Sequence, residues 1–277
     1  MKTLPPSSYS ISHPTFSEIE PVARAILEKL GGITGLQNKL ACLLRECIDD
    51  AVDIPGMERF FLADLMTQEK ANIGTRVEIA LRDLTDFPKR TLDFYIADRD
   101  VDVKFTIGNN WMIPKEAIGH ICILIAADES SLLGYFGLLK ADPLYLTQGG
   151  NQDKKVSVSA VGFRNINWLV SNHPYPQNFW RSVPPAQRKT IFSARGGTAR
   201  LAKLFELFQA IPIHRSVIAD IARQKDNMKR IRKNGGARDV LEAKGISILG
   251  GAYDSTKIAR LGLPFCDREH FISTSKA

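Results

Sequence analysis

Three residues near the middle of the chain have the types and spacing to do chemistry. Asp93 lies in the β-rich run TLDFYI (91–96), and Asp102 and Lys104 lie in the next one, VDVKFTI (101–107), with the polar stretch ADRD between them. With ADRD as the turn of a hairpin, Asp93 sits across from Lys104 and Tyr95 across from Asp102. Cross-strand partners share a face, and so do residues two apart on one strand, so Asp93, Asp102 and Lys104 project from one side. Two carboxylates this close repel unless a proton or a cation lies between them. Their oxygens suit a hard divalent ion such as Mg2+. A neighbouring amine can orient or deprotonate a water and stabilise developing charge. Metal, activated water and a charged amine together are what phosphodiester hydrolysis requires. Glu78, on the preceding segment, can add a further carboxylate on the metal side. Ordinary solvated hairpins carry the same spacing by chance. What favours chemistry here is that these strands feed directly into a buried one.

A second constellation is basic. RQKDNMKRIRKNGGAR (223–238) places Arg223, Lys225, Lys229, Arg230, Arg232, Lys233 and Arg238 within sixteen residues. Preceded by SVIADIA and followed by a strand and turn, it has the shape of a winged helix-turn-helix, whose second helix enters a major groove while the wing touches the backbone. A solvated helix face is the plainer reading of such a run. The neighbouring helices, the Gly-rich stop and the following wing favour DNA binding.

The elements that must position these groups follow from periodicity. Residues 17–50 carry apolar side chains at helical spacing (Ile19, Val22, Ile26, Leu30; Leu36, Leu40, Leu43, Leu44, Ile48) and predict two helices broken at Gly31-Gly32. Another helix is expected over 57–66. An amphipathic helix from Thr67 to Leu84 carries Glu78, with Gly74 weakening its middle. GHICILIAAD (119–128) reads as a strand buried on both faces, and LLGYFGLLKA (132–141) as the next. TQGGNQDKK (147–155) is a loop, and 156–170 read as a strand then a short helix. Beyond SNHPYPQN (171–178), the expected linker, TARLAKLFELFQA (198–210) is an amphipathic helix. RSVIADIARQ (215–224) and KDNMKRIRKN (225–234) read as two more, and ARDVLEAKG as a short one stopped by Gly245. ISILGGAY is a strand with a turn.

Composition sets the class. The 277 residues are 44% hydrophobic and 24% charged, as in soluble folded proteins. Residues 178–277 hold 19 Lys/Arg against 8 Asp/Glu, whereas residues 1–177 hold 18 against 22, so the halves have different electrostatic roles and the basic one points to a polyanion. Cys42, Cys47, Cys122 and Cys266 form no CxxC pair, which suits a reducing cytosol, and Cys122 falls in an apolar run as a core residue. The N-terminus lacks the apolar stretch of a signal peptide and reads as an arm of about a dozen residues. No apolar run is long enough to span a membrane. Ser193 and Ser216 lack triad partners, His120 reads as structural, and Trp111 as core.

Glu78, Asp93 and Asp102-Val103-Lys104 together resemble the PD-(D/E)xK nuclease signature. The longer strings EKANIGTRVEIAL, VDVKFTIGNNWMIPKEAIGHICILI and SVIADIARQKDNMKRIRKNGGARDVL resemble the NaeI family of type II restriction endonucleases, from about residue 15 to about residue 265. The resemblance lapses over Cys47–Met57. The chain ends at Ala277, soon after the expected wing, where the family's namesake continues. The resemblance implies an α/β protein: a restriction-endonuclease-like mixed sheet flanked by helices (residues 1–170), a linker (171–178), and a winged-helix domain similar to that of the catabolite activator protein (179–277), which in this family binds a second DNA copy. It places Glu78, Asp93, Asp102 and Lys104 on the active-site positions, with Asp93, Asp102 and the Val103 carbonyl holding Mg2+ and Lys104 acting on water. It implies a cytoplasmic prokaryotic homodimer that cuts double-stranded DNA at a short, GC-rich palindrome, alongside a methyltransferase that is not a physical partner. A nicking or repair endonuclease of the same fold, or a DNA-binding regulator with a scaffold nuclease domain, remain as alternatives.

Overall fold

The computed structural model describes residues 9–52, 59–222 and 226–275. They fall into two compact units, the described residues of 1–51 and 65–177 in one and those of 52–64 and 178–277 in the other.

The first unit opens with helices α1 (Phe16–Leu30) and α2 (Gly32–Val52). α1 buries Ile19, Val22, Ile26 and Leu30, the stripe its sequence predicts, and ends where Gly31 turns left-handed at φ 86°. α3 (Thr67–Thr85) is capped by the Glu69 carboxylate, which accepts from Met66 N–H at 2.8 Å, and buries Ile73, Val77 and Leu81. Glu78, next to Val77, is set at the margin of this buried stripe. Gly74 does not break the helix. A methyl group there would meet only Phe105 Cβ, at 3.8 Å. Gly74→Ala is therefore expected to raise stability by about 0.5–1 kcal/mol without loss of activity; a lower melting temperature would contradict it.

The central sheet has the order β1-β2-β4-β5-β7, from β1 (Phe94–Ile96), β2 (Arg99–Thr106), β4 (Ile121–Asp128), β5 (Leu133–Lys140) and β7 (Asn167–Pro174). β2 and β4 run parallel and the other pairs antiparallel, so the sheet is mixed. Short strands β3 (Met112–Ile113) and β6 (Val156–Ser157) pair separately, and helix α4 (Ala160–Arg164) precedes β7. One face packs Ile123, Phe94 and Phe136 against Ile26 and Leu81. The other packs Cys122, Leu124 and Ala126 against Trp111, Tyr145 and Ile166. Trp111 is fully buried, as expected, and its indole N–H donates to Ile125 O at 2.7 Å.

The hairpin register differs from expectation. Phe94 pairs with Val101, Tyr95 with Asp100 and Ile96 with Arg99. The turn is two residues, Ala97 and Asp98 at φ 48° and 60°, rather than the four of ADRD. A two-residue turn with both centres left-handed matches strand twist and lets Arg99 and Asp100 pair. The register slips by two, so every side chain keeps its face. Asp102 thus comes opposite the backbone just before β1, where Asp93 lies, and not opposite Tyr95.

Other corrections are local. Within 57–66, residues 59–66 hold only a single 3-10 turn, Leu62–Asp64. Residues 171–174 of the expected linker complete β7 against β5, and Pro174 at its end lacks only a donor the strand no longer needs. Residues 1–8 of the expected arm lie outside the described residues, but the rest of it is docked: His13 Nε2 lies 2.6 Å from Asn165 Oδ1 and Thr15 is buried.

The second unit contains α5 (Pro185–Ser193), α6 (Gly197–Leu207), α7 (Arg215–Ala222), α8 (Ala237–Glu242) and α9 (Ser255–Arg260). A three-stranded antiparallel sheet orders β8 (Ile213–His214), β10 (His270–Thr274) and β9 (Ser247–Gly250). KDNMKRIRKN is not a helix. Its described part is a 3-10 turn, Asn227–Arg230, capped by Asp226 and followed by left-handed Asn234 and Gly235. Like charges crowd this run, and the Asp239 carboxylate, accepting from Gly235 N–H, starts a helix only after Gly236.

Candidate active site

The edge hairpin and its parallel neighbour build the site. Asp102 lies at the centre of β2, level with Cys122 of β4, and only 4% of it is exposed. Asp93 turns in beside it. Its Oδ2 accepts from Val103 N–H at 2.9 Å, which fixes the carboxylate against β2. Lys104 folds back along its own strand: Nζ lies 2.6 Å from Asp102 Oδ2 and donates to Val103 O at 3.1 Å. Asp93, Asp102, Val103 and Lys104 therefore converge, as the sequence predicts.

Burial dominates the electrostatics. It pushes the Asp102 carboxyl up to about 6, the Lys104 ammonium opposes this, and the neighbouring Asp93 carboxyl adds to it. The Cys122 thiol is likewise raised, mainly by burial and then by the charge of Asp102. The ammonium approaches Asp102 Oδ2 as an ion pair outside hydrogen-bonding angles, so this buried oxygen has no hydrogen-bond donor.

That orphaned oxygen is the test of whether a cation fits. Asp102 Oδ2 and the Val103 carbonyl are both hard oxygen acceptors, the Lys104 ammonium lies against each, and Asp93 stands beside them. The donor set suits a divalent cation. It is a set of two carboxylates and a carbonyl: among the described residues no three His, Cys, Asp or Glu side chains are gathered closely enough to hold a metal. Glu78 stands one step away, paired with Arg82 one helical turn on and 3.7 Å from Lys89 Nζ. The same Lys89 ammonium lies 3.8 Å from Asp93 Oδ1. Sequence reasoning missed Arg82 and Lys89. For Arg82 the available signal was spacing, since it follows Glu78 by four residues on one helix; Lys89 lies off the helix, where that spacing carries no such signal.

The basic residues of the second unit are less gathered. Arg223 and Lys225 lie outside the described residues. Lys229 and Arg230 sit on the 3-10 turn, and Arg232 is exposed. Lys233 pairs with Glu242 at 3.4 Å, and Arg238 lies 3.9 Å from Asp254. Arg232 and Arg238 line a cleft of about 390 Å3 together with Arg215, Arg268 and Tyr253, three residues that sequence reasoning did not single out. Tyr253 is 95% exposed.

Fold and site together define an α/β protein whose mixed sheet carries an acid–lysine centre towards one edge, and whose chain contains a second, smaller and basic unit. The model of the restriction endonuclease NaeI family matches residues 28–276. The Type II restriction enzyme NaeI of Lentzea aerocolonigenes is 36% identical over 237 residues, which cover 82% of this chain and 74% of that protein. The chain belongs to the restriction endonuclease NaeI family.

Proposed function

We propose that this protein is a type II restriction endonuclease that hydrolyses both strands of DNA at a short palindrome, with Mg2+ as its cofactor. The observation that carries this reading is the Lys104 ammonium lying on both Asp102 Oδ2 and the Val103 carbonyl, the two acceptors a metal would take, with Asp93 alongside. Asp93, Asp102 and the Val103 carbonyl would hold the ion. When bound, Mg2+ supplies Lewis-acid polarisation of the phosphate and an acidified water. Lys104 orients that water and stabilises charge on the phosphate. Glu78 tops the acidic patch from α3. The unit of residues 1–51 and 65–177, which holds the central sheet, is read as the endonuclease domain. Cutting both strands of a palindrome calls for two copies related by a twofold axis, hence a homodimer.

Residues 179–277 are read as the winged-helix domain that grips DNA and takes up a second DNA copy. The succession α7, α8, β9 supports this, with α8 in the place assigned from sequence to KDNMKRIRKN. The cleft of Arg215, Arg232, Arg238 and Arg268 around Tyr253 supplies its cations. Among the described residues no helix is long and apolar enough to cross a membrane; a restriction enzyme would act in the prokaryotic cytoplasm, where its DNA substrate is found.

Incubation with plasmid DNA and Mg2+ tests the function. Double-strand breaks at one sequence with 5′-phosphate ends, stimulated by a second cognate duplex, are expected; scattered single-strand nicks would overturn it. For the second domain, Arg232→Ala should weaken DNA binding in EDTA and lower the slope of log affinity against log salt by about one. An unchanged slope would remove Arg232 from the DNA-binding surface.

A further inference from the structure

Lys89 belongs to no motif. It lies on the polar segment between α3 and β1, and its side chain is 54% exposed. A lysine in that position is free to extend into solvent. Instead Nζ lies between Glu78 Oε1, at 3.7 Å, and Asp93 Oδ1, at 3.8 Å. Each carboxylate has another partner: Arg82 shares Glu78 Oε1 with Lys89, and the Val103 N–H is on the other oxygen of Asp93, Oδ2. The row Arg82, Glu78, Lys89, Asp93 therefore alternates in sign and leads to the carboxylate assigned to the metal. Asp93 Oδ1 is the oxygen that β2 leaves unused, and Lys89 faces it.

We propose that Lys89 is a positioning residue of the catalytic centre, acting as an exchangeable internal counter-ion that ties Glu78 to Asp93 and competes with a divalent cation for Asp93. The inference rests on the metal-site reading given above. Its physical basis is Coulombic. Two carboxylates gathered beside a third repel, and in the absence of metal an ammonium between two of them relieves the repulsion. A cation arriving at Asp93 meets the ammonium as a like charge and must displace it. A long, half-exposed lysine can leave, because its other conformations are solvated and each ion pair at such exposure is weak. A phosphate backbone brought near the site attracts the same ammonium, so DNA and metal both draw Lys89 off the carboxylates.

Mn2+ binding without DNA, followed by calorimetry, tests this on the full chain. Lys89→Met keeps the stem and removes the charge; Lys89→Arg keeps the charge. Lys89→Met is expected to bind Mn2+ about fivefold tighter than the unaltered protein, with Lys89→Arg close to it. Half exposure of the side chain keeps both variants foldable, and thermal melting confirms it. If Lys89→Met binds Mn2+ no tighter than the unaltered protein, the counter-ion role is overturned; if neither binds it, the metal site is overturned and the role of Lys89 with it. The double variant Lys89→Met with Asp102→Asn separates the two readings. Mn2+ still bound by the double variant refutes the metal site itself, whereas loss of binding there with no gain in Lys89→Met refutes only the role of Lys89.

Discussion

Lys104→Ala is expected to lower plasmid cleavage in Mg2+ by about 10^3-fold while leaving the fold intact. A positioned acid or base contributes roughly 10^2- to 10^4-fold, and charge stabilisation at the reacting phosphate adds to that. Lys104 is the one ammonium lying on both Asp102 and the Val103 carbonyl, at 2.6 and 3.1 Å. β2 holds its place through main-chain pairing with β1 and β4, so truncating a side chain that is 23% exposed does not unseat it. Lys104→Arg should fail nearly as badly, because a planar guanidinium cannot present one compact charge to both acceptors and cannot give up a proton at working pH. Single-turnover cleavage measures the loss, and Mn2+ binding should persist because Asp93, Asp102 and the carbonyl remain. Cleavage by Lys104→Ala within threefold of the unaltered rate would take Lys104, and the centre built on it, out of the mechanism.

How far this centre could be seen from the sequence depends on which information was local. Strand parity has a period of two, so Asp102 and Lys104 share a face whatever the turn does, and Asp93 joins them with the two-residue turn as with the four-residue one, because the two differ by an even number. A turn of odd length would have put Asp93 on the opposite face. The continuous apolar run 121–127 likewise leaves no choice but a strand covered on both sides, and β4 is that strand. What could not be read were contacts made by long side chains across elements. Lys89 reaches Glu78 across the gap between a helix and a strand, and nothing in the spacing of the two residues encodes the direction of that side chain. The basic run 225–234 failed for the opposite reason. Its composition suits a helix, but the capping carboxylate of Asp239 accepts from Gly235 and starts the helix three residues after the run ends. Local hydrogen bonding of this kind outweighs a propensity that differs by only tenths of a kcal/mol per residue.

Asp102→Asn should separate stability from activity, in opposite directions. Burial holds the Asp102 carboxyl near 6 in the folded protein, against an ordinary value of 3.8. The folded state thus keeps this proton to higher pH than the unfolded state does. Below about pH 3.8 both states are protonated and there is no penalty; from there to about 6 the penalty grows, and above 6 the ionised, buried carboxylate costs about 3 kcal/mol. An asparagine of the same shape carries no such charge, and its carbonyl oxygen can still accept from Lys104. The variant is therefore expected to melt about 5 °C higher than the unaltered protein at pH 8 in EDTA, and at nearly the same temperature at pH 4. Mg2+ should narrow the gap at pH 8 by binding only the unaltered protein. Cleavage by the variant should fall about 10^3-fold or more, since the one buried oxygen left for a cation becomes an amide. A melting difference independent of pH would mean that Asp102 is ionised at no cost to the fold. In that case the buried oxygen would already be satisfied and would not await a cation.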